Sequence, residues 1–299
     1  MFVWLRRLLA PALALALVGC GSPSAPSATP AAGGGLNVVV AFYPYQFVAG
    51  RVLGDLGTVS NLTPVGAEPH DLELSARQIA SLATADLVIY QRGFQAAVDE
   101  AIAQAAPRAV LDVTALVPPV ATAGGSSPDP HLWLDPTNLS PVATAVADAL
   151  GRQAPAQAER LMANATTLAA DLAALDQEFA TGLAGCSVRT FVTTHTAFGY
   201  LADRYDLDQV GIAGLDPEAE PSAARIKEIH ALVTRTGVTT IFFETLTNDA
   251  VAKAIAGDLG LRTDVLDPVE GLSDASRGGD YPAIMRANLA ALRQANTCR

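Results

Sequence analysis

Three of the four histidines stand where an apolar stretch gives way to a turn, each behind a helix-breaking or polar neighbour: Glu68-Pro69-His70, Asp129-Pro130-His131 and Thr193-Thr194-His195. Neutral imidazole is the commonest protein ligand for borderline cations such as zinc, so together these three have the chemistry of a metal site. Singly, each reads equally well as a surface or hydrogen-bonded residue. About sixty residues separate each from the next, and no histidine is followed by glutamate, which excludes a zinc finger and an HExxH helix. A shared site must therefore be assembled by the fold. His230 differs: Arg225-Ile226-Lys227-Glu228-Ile229-His230 belongs to an amphipathic helix, where it is expected to face solvent and carry no function.

The elements that would position these residues follow a βαβ rhythm. Valine-rich or apolar runs at 36–42, 87–90 and 109–113 alternate with helix-like segments at 75–83 and 95–105. The pattern restarts after residue 186, with strands near 190–193, 239–243 and 263–266 and helices at 196–205, 222–236 and 249–259. This predicts an α/β fold of two lobes with central, mostly parallel sheets, 36–153 and 186–299. Loop mouths at sheet ends are where such folds bind ligands. Between the lobes, Leu161, Leu168, Leu172, Leu175, Phe179 and Leu183 form a helical stripe. A linker over 154–185 containing one long helix, about 40 Å at about 1.5 Å per residue, would join the lobes and limit their swing.

With 299 residues, half of them apolar and 16% charged, the chain has enough material for two cored lobes. The formal charge of -11 and the absence of any basic run beyond Arg6-Arg7 argue against nucleic acid as a partner. Neither of the two lysines, Lys227 and Lys253, follows a glycine, so no GxxxxGK[ST] phosphate loop exists. Residues 1–19 read as an export signal, with a cationic start and an apolar stretch too short to span a bilayer. Leu17-Val18-Gly19-Cys20 resembles the lipobox of bacterial lipoproteins, which would make Cys20 the lipidated first residue; a signal peptide with an incidental cysteine is the alternative. The Gly, Ser, Pro, Ala and Thr of 20–35 form a flexible tether. In an oxidising compartment Cys186 and Cys298 are expected to pair, against the alternative of two buried thiols.

The histidines sit in longer blocks: Phe42-Tyr43-Pro44, Val65-Gly66-Ala67-Glu68-Pro69-His70-Asp71, Ala85-Asp86-Leu87-Val88 and Asp129-Pro130-His131-Leu132-Trp133-Leu134-Asp135-Pro136. The second half adds His195-Thr196-Ala197-Phe198-Gly199-Tyr200-Leu201, Pro217-Glu218-Ala219-Glu220-Pro221-Ser222, Phe243-Glu244, and Asp280-Tyr281 leading to Met285-Arg286-Ala287-Asn288-Leu289. In their order and spacing these blocks make the sequence resemble, over 38–292, the substrate-binding lipoproteins of zinc and manganese ABC transporters, the cluster A-I solute-binding family, periplasmic solute-binding family 9. The resemblance implies that His70 and His131 from the first lobe, with His195 and a carboxylate from the second, hold one ion in the interlobe cleft. Asp280 is the expected carboxylate, since relatives carry an acid there, and Asp274 is the reserve. It further implies a monomeric, non-enzymatic carrier at the outer face of the cytoplasmic membrane or in the periplasm. Its partners would be an ABC transporter permease, possible delivery by a metallochaperone, and the membrane through the N-terminal lipid.

Three neutral nitrogens and one carboxylate suit tetrahedral Zn2+ as cargo, whereas Mn2+ prefers harder oxygen ligands. Manganese binders of the family tend to carry glutamate where this chain has His195, and Mn2+ or Fe2+ transport is the alternative. Many zinc-specific relatives insert a histidine-rich loop before the second ligand; here 117–130 contains no histidine. Glu68, Asp129 and Glu244 are the candidates to orient the ligand rings, each also able to cap a turn. A zinc hydrolase would need an open coordination position, and a surface adhesin has no mark in the sequence.

Overall fold

The computed structural model describes residues 35–121 and 128–299. The export signal 1–19, Cys20 with its expected lipid, residues 20–34 of the tether and the centre of the 117–130 loop lie outside the described residues. Residues from Gly35 to Arg299 form one compact unit.

Two parallel sheets organise it. The first contains β1 (Leu36–Val40), β2 (Gly57–Asn61), β3 (Leu87–Tyr90) and β4 (Val110–Asp112), in the order β2-β1-β3-β4. The second contains β5 (Thr190–Thr193), β6 (Asp208–Gly211), β7 (Thr240–Phe243) and β8 (Arg262–Val265), in the order β6-β5-β7-β8. Both sheets thus repeat one topology. All four residues of β3 are buried, as expected of a strand covered on both faces in an α/β layer. The edge strands β2 and β6 have no continuous apolar run, and so escape a hydrophobicity reading.

Nine α-helices occur among the described residues: α1 (Tyr43–Leu53), α2 (Ala76–Thr84), α3 (Ala96–Ala105), α4 (Leu139–Gln153), α5 (Ala158–Leu183), α6 (Gly199–Arg204), α7 (Ala223–Thr236), α8 (Ala250–Leu259) and α9 (Tyr281–Ala295). Local chemistry sets their starts. Ser75 and Gln78 cap α2 reciprocally, and Ser222 accepts the Arg225 amide at the head of α7.

The anticipated stripe of α5 is buried in full, together with Ala165. At about 1.5 Å per residue its 26 residues span about 39 Å. The helix starts at Ala158 rather than 154, because a 3-10 turn at Pro155–Gln157 folds it back against α4. Its other neighbours are α1 from the first half and α9 from the second. One hydrophobic core accordingly runs from β1 through α4 and α5 to α6 and α9. A smaller one packs α7 and α8 on β5 and β7.

Cys186 and Cys298 form a disulfide across 112 residues, tying the C-terminus to the segment between α5 and β5. His230 departs from expectation. It lies one turn beyond Ile226 on the flank of the packed face of α7, half-buried, with Nε2 enclosed.

Candidate metal centre

Parallel strands release their chain at one end of each sheet, and four such exits supply the site. His70 lies in the loop after β2, His131 in the turn beyond β4, His195 two residues past β5, and Glu270 in the loop beyond β8. Their donor atoms all fall within 4.8 Å of one another. Glu270 Oε1 is 3.2 Å from His131 Nε2, 3.3 Å from His70 Nε2 and 3.9 Å from His195 Nε2. The Nε2 atoms of His131 and His195 are 3.5 Å apart. A tetrahedral zinc with bonds of about 2.0–2.1 Å has ligand-to-ligand edges of about 3.3–3.4 Å. The donor set fits a four-coordinate dication, and three of its edges already stand near tetrahedral spacing.

Two rings are aimed by carboxylates. Asp129 Oδ1 accepts from His131 Nδ1 at 2.7 Å and from the His131 amide at 2.9 Å. Glu244, at the end of β7, brings Oε1 to 2.5 Å from His195 Nδ1 and accepts the Thr194 hydroxyl at 2.6 Å. With Nδ1–H donating outward, each Nε2 lone pair points inward, the usual support for a metal-binding histidine. Glu68 acts on the main chain instead, its Oε2 accepting the amides of His70 and Asp71 and capping their turn. The His70 ring meets the edge of Phe94, with centroids 4.7 Å apart.

His131 and His195 are wholly buried and Glu270 nearly so. Burial disfavours the charged imidazole of His131, but hydrogen bonds and charges from Asp129 and Glu270 outweigh it and raise its pKa to about 9. For Glu270, burial pushes the pKa up, yet His131 and His70 reverse this and hold its carboxyl well below the ordinary range.

Asp280 is not part of this cluster. It is the N-cap of α9, exposed, its Oδ1 accepting the Ala283 amide at 2.9 Å. Aspartate before Tyr281-Pro282 satisfies an unpaired helix amide, so its side chain turns along the helix and not toward the histidines. Asp274 is also exposed. The fourth group is Glu270, which the sequence reading missed. The available signal was its position: like the three histidines, it follows a strand, inside the apolar run Val265-Leu266-Asp267-Pro268-Val269-Glu270. Val269 holds φ at 57°, a left-handed bend strained for a β-branched residue. The Asp267 carboxylate accepts its amide at 2.8 Å, and Asn288 holds Asp267 by its main chain on both sides.

The family model described as "Zinc-uptake complex component A periplasmic" matches residues 38–295. The chain is 34% identical to the zinc-binding lipoprotein AdcA of Streptococcus pneumoniae serotype 4, over 96% of this chain and 60% of that protein. It thus spans somewhat over half the length of the AdcA relatives. With the high-affinity zinc uptake system protein ZnuA of Bacillus subtilis it shares 31% identity over 97% of both chains. Among solved structures, the Zn(II)-bound ZnuA-like domain of pneumococcal AdcA superposes with a TM-score of 0.76 at 34% identity, covering 88% of this chain and 99% of that one. The laminin-binding protein Lmb of Streptococcus agalactiae, described as bifunctional with adhesin and metal-transporting activity, gives a TM-score of 0.80 at 32% identity, covering 87% and 99%.

Proposed function

The chain belongs to the family of periplasmic component A of zinc-uptake complexes, and from that premise we propose that it captures Zn2+ outside the cytoplasm and delivers it to the permease of an ABC transporter. In this reading His70, His131, His195 and Glu270 bind the ion directly, and Asp129 and Glu244 orient two of the rings. The observation that carries it is the convergence of three Nε2 atoms and one Oε1 within 4.8 Å, drawn from both sheets. Three nitrogens and a single oxygen favour zinc over manganese. Four protein donors fill a tetrahedral sphere, so the site reads as a carrier's closed cage rather than a hydrolase's open one.

Residues 1–19 then serve as the export signal, Cys20 as the lipidated anchor and 20–35 as the tether, with lobes 36–153 and 186–299 joined across 154–185. The relative AdcA is named a lipoprotein, which supports an anchored, extracytoplasmic location. Among the described residues no helix is long and apolar enough to cross a membrane. Because donors from both halves meet on one ion, occupancy would bias the arrangement that the permease reads.

Metal analysis of the purified protein, followed by competition between Zn2+ and Mn2+, tests the proposal. One tightly held zinc per chain, not displaced by excess manganese, is expected. A manganese preference, or no stoichiometric metal, would overturn it.

A further inference from the structure

One residue of the His131 turn grips the Glu270 loop near both of its ends, once by its side chain and once by its main-chain carbonyl. Trp133 lies two residues after His131 on the 3-10 turn Leu132–Leu134 and is fully buried. Its indole Nε1–H donates to the Pro268 carbonyl at 2.7 Å, two residues before Glu270. Its own carbonyl accepts the Tyr281 hydroxyl at 2.6 Å, at the first residue of α9 where the loop ends. Tyr281 is in turn stacked on Phe47 of α1, with centroids 5.2 Å apart. Both hydrogen bonds are buried and cross from one half of the protein to the other.

The loop needs such a grip. Between Pro268 and Glu270 stands Val269 at φ 57°, a conformation that a β-branched residue holds only when its surroundings impose it. That bend brings the Glu270 carboxylate over the histidines. The Asp267 carboxylate fixes the amide of Val269, but Asp267 and Asn288 belong to the second half alone and cannot set the height of the loop above His70 and His131. Trp133 can, because it shares a rigid turn with His131 and packs 5.3 Å from that ring. It also packs 4.8 Å from Phe42 and 5.5 Å from Phe94, so the anchor end cannot drift.

We propose that Trp133 is a positioning residue for the metal site: its clasp on Pro268 and Tyr281 keeps Glu270 in bonding register with the three histidines across the interlobe seam. The proposal rests on the zinc-binding reading above. Losing the clasp leaves the histidines in place, lets the Val269 bend relax and withdraws the fourth donor.

The test is a double-mutant cycle on zinc affinity, read by chelator competition, with Trp133→Phe and Glu270→Ala made singly and together. Phenylalanine keeps an aromatic ring in the seam but removes the N–H donor together with the rest of the five-membered ring, whereas Tyr281→Phe removes a hydroxyl alone. Trp133→Phe is expected to weaken zinc binding about tenfold, the size typical of lost support around a metal ligand. In the Glu270→Ala background it should cost almost nothing. Tyr281→Phe, which keeps the Phe47 stack and removes the other bond, should show the same dependence on Glu270 and provides the measurement should Trp133→Phe fail to fold. Equal losses with and without Glu270, or unchanged affinity in both clasp variants, would overturn the clasp alone. Absence of zinc binding in the parent protein would overturn the zinc reading and the clasp with it.

Discussion

Glu244 Oε1 lies 2.5 Å from His195 Nδ1, across the gap between the ends of β7 and β5. The same oxygen also accepts the Thr194 hydroxyl, so a buried carboxylate fixes both the tautomer and the tilt of the ring. Glu244→Ala is expected to weaken zinc binding by about 10–100-fold, the usual consequence of losing a ligand's orienting partner. Glu244→Gln, which retains the shape, should lose less. Chelator competition measures both, and an Ala variant with parental affinity would contradict the assigned role.

The carboxylates Glu270 and Asp280 should separate cleanly. Glu270→Ala removes a donor and leaves His131 without its inward partner, so zinc affinity falls sharply. Asp280→Ala removes the N-cap of α9, costing about 0.5–2 kcal/mol of stability while leaving zinc affinity within a few-fold of the parent. Paired metal titrations and denaturant melts distinguish the two outcomes.

Zinc binding should release a proton. The His131 pKa is raised to about 9 by Asp129 and Glu270 against the opposing effect of burial, and a bound imidazole must be neutral. Affinity should therefore climb with pH until about 9 and flatten beyond. For the metal-free protein the sign is opposite: stabilisation from protonated His131 is complete below about 6.5, its unfolded value, and is lost as pH rises through about 9. Calorimetric titration at pH 7.5 in buffers of differing ionisation enthalpy reads the proton count, with close to one expected from this group.

Gly199 lets Asp129 hold its position. A Cβ at residue 199 would collide with Asp129 Oδ2, and Asp129 cannot yield freely because its other oxygen holds both the amide and Nδ1 of His131. Gly199→Ala should displace the carboxylate and weaken zinc binding by about tenfold. Unchanged affinity would show that Asp129 can turn aside without disturbing the ring.

Reducing the Cys186–Cys298 bond should affect stability and not the cargo site. Closing 112 residues contributes up to about 4–5 kcal/mol by constraining the unfolded chain. Neither cysteine belongs to the donor cluster. Urea melts with and without reductant should differ in midpoint, and zinc affinity should stay the same.

The sequence alone determined the α/β rhythm, the stripe of α5 and the three histidines, because each is written in local periodicity or in residue type at a strand exit. The order of the strands, the same in both sheets, and the polar edge strands β2 and β6 are not written in that periodicity. The fourth donor was decided only by the tertiary structure. Asp280 and Glu270 are both acids in one irregular loop; Asp280 before Tyr281-Pro282 carries the local mark of a helix cap, but no neighbour in sequence aims Glu270 at the histidines. What separates them is the strained bend at Val269, held by Asp267 on one side and the Trp133 clasp on the other. Those contacts join residues as many as 148 positions apart, and a side chain's direction in an irregular loop is set by such distant packing rather than by its neighbours in sequence.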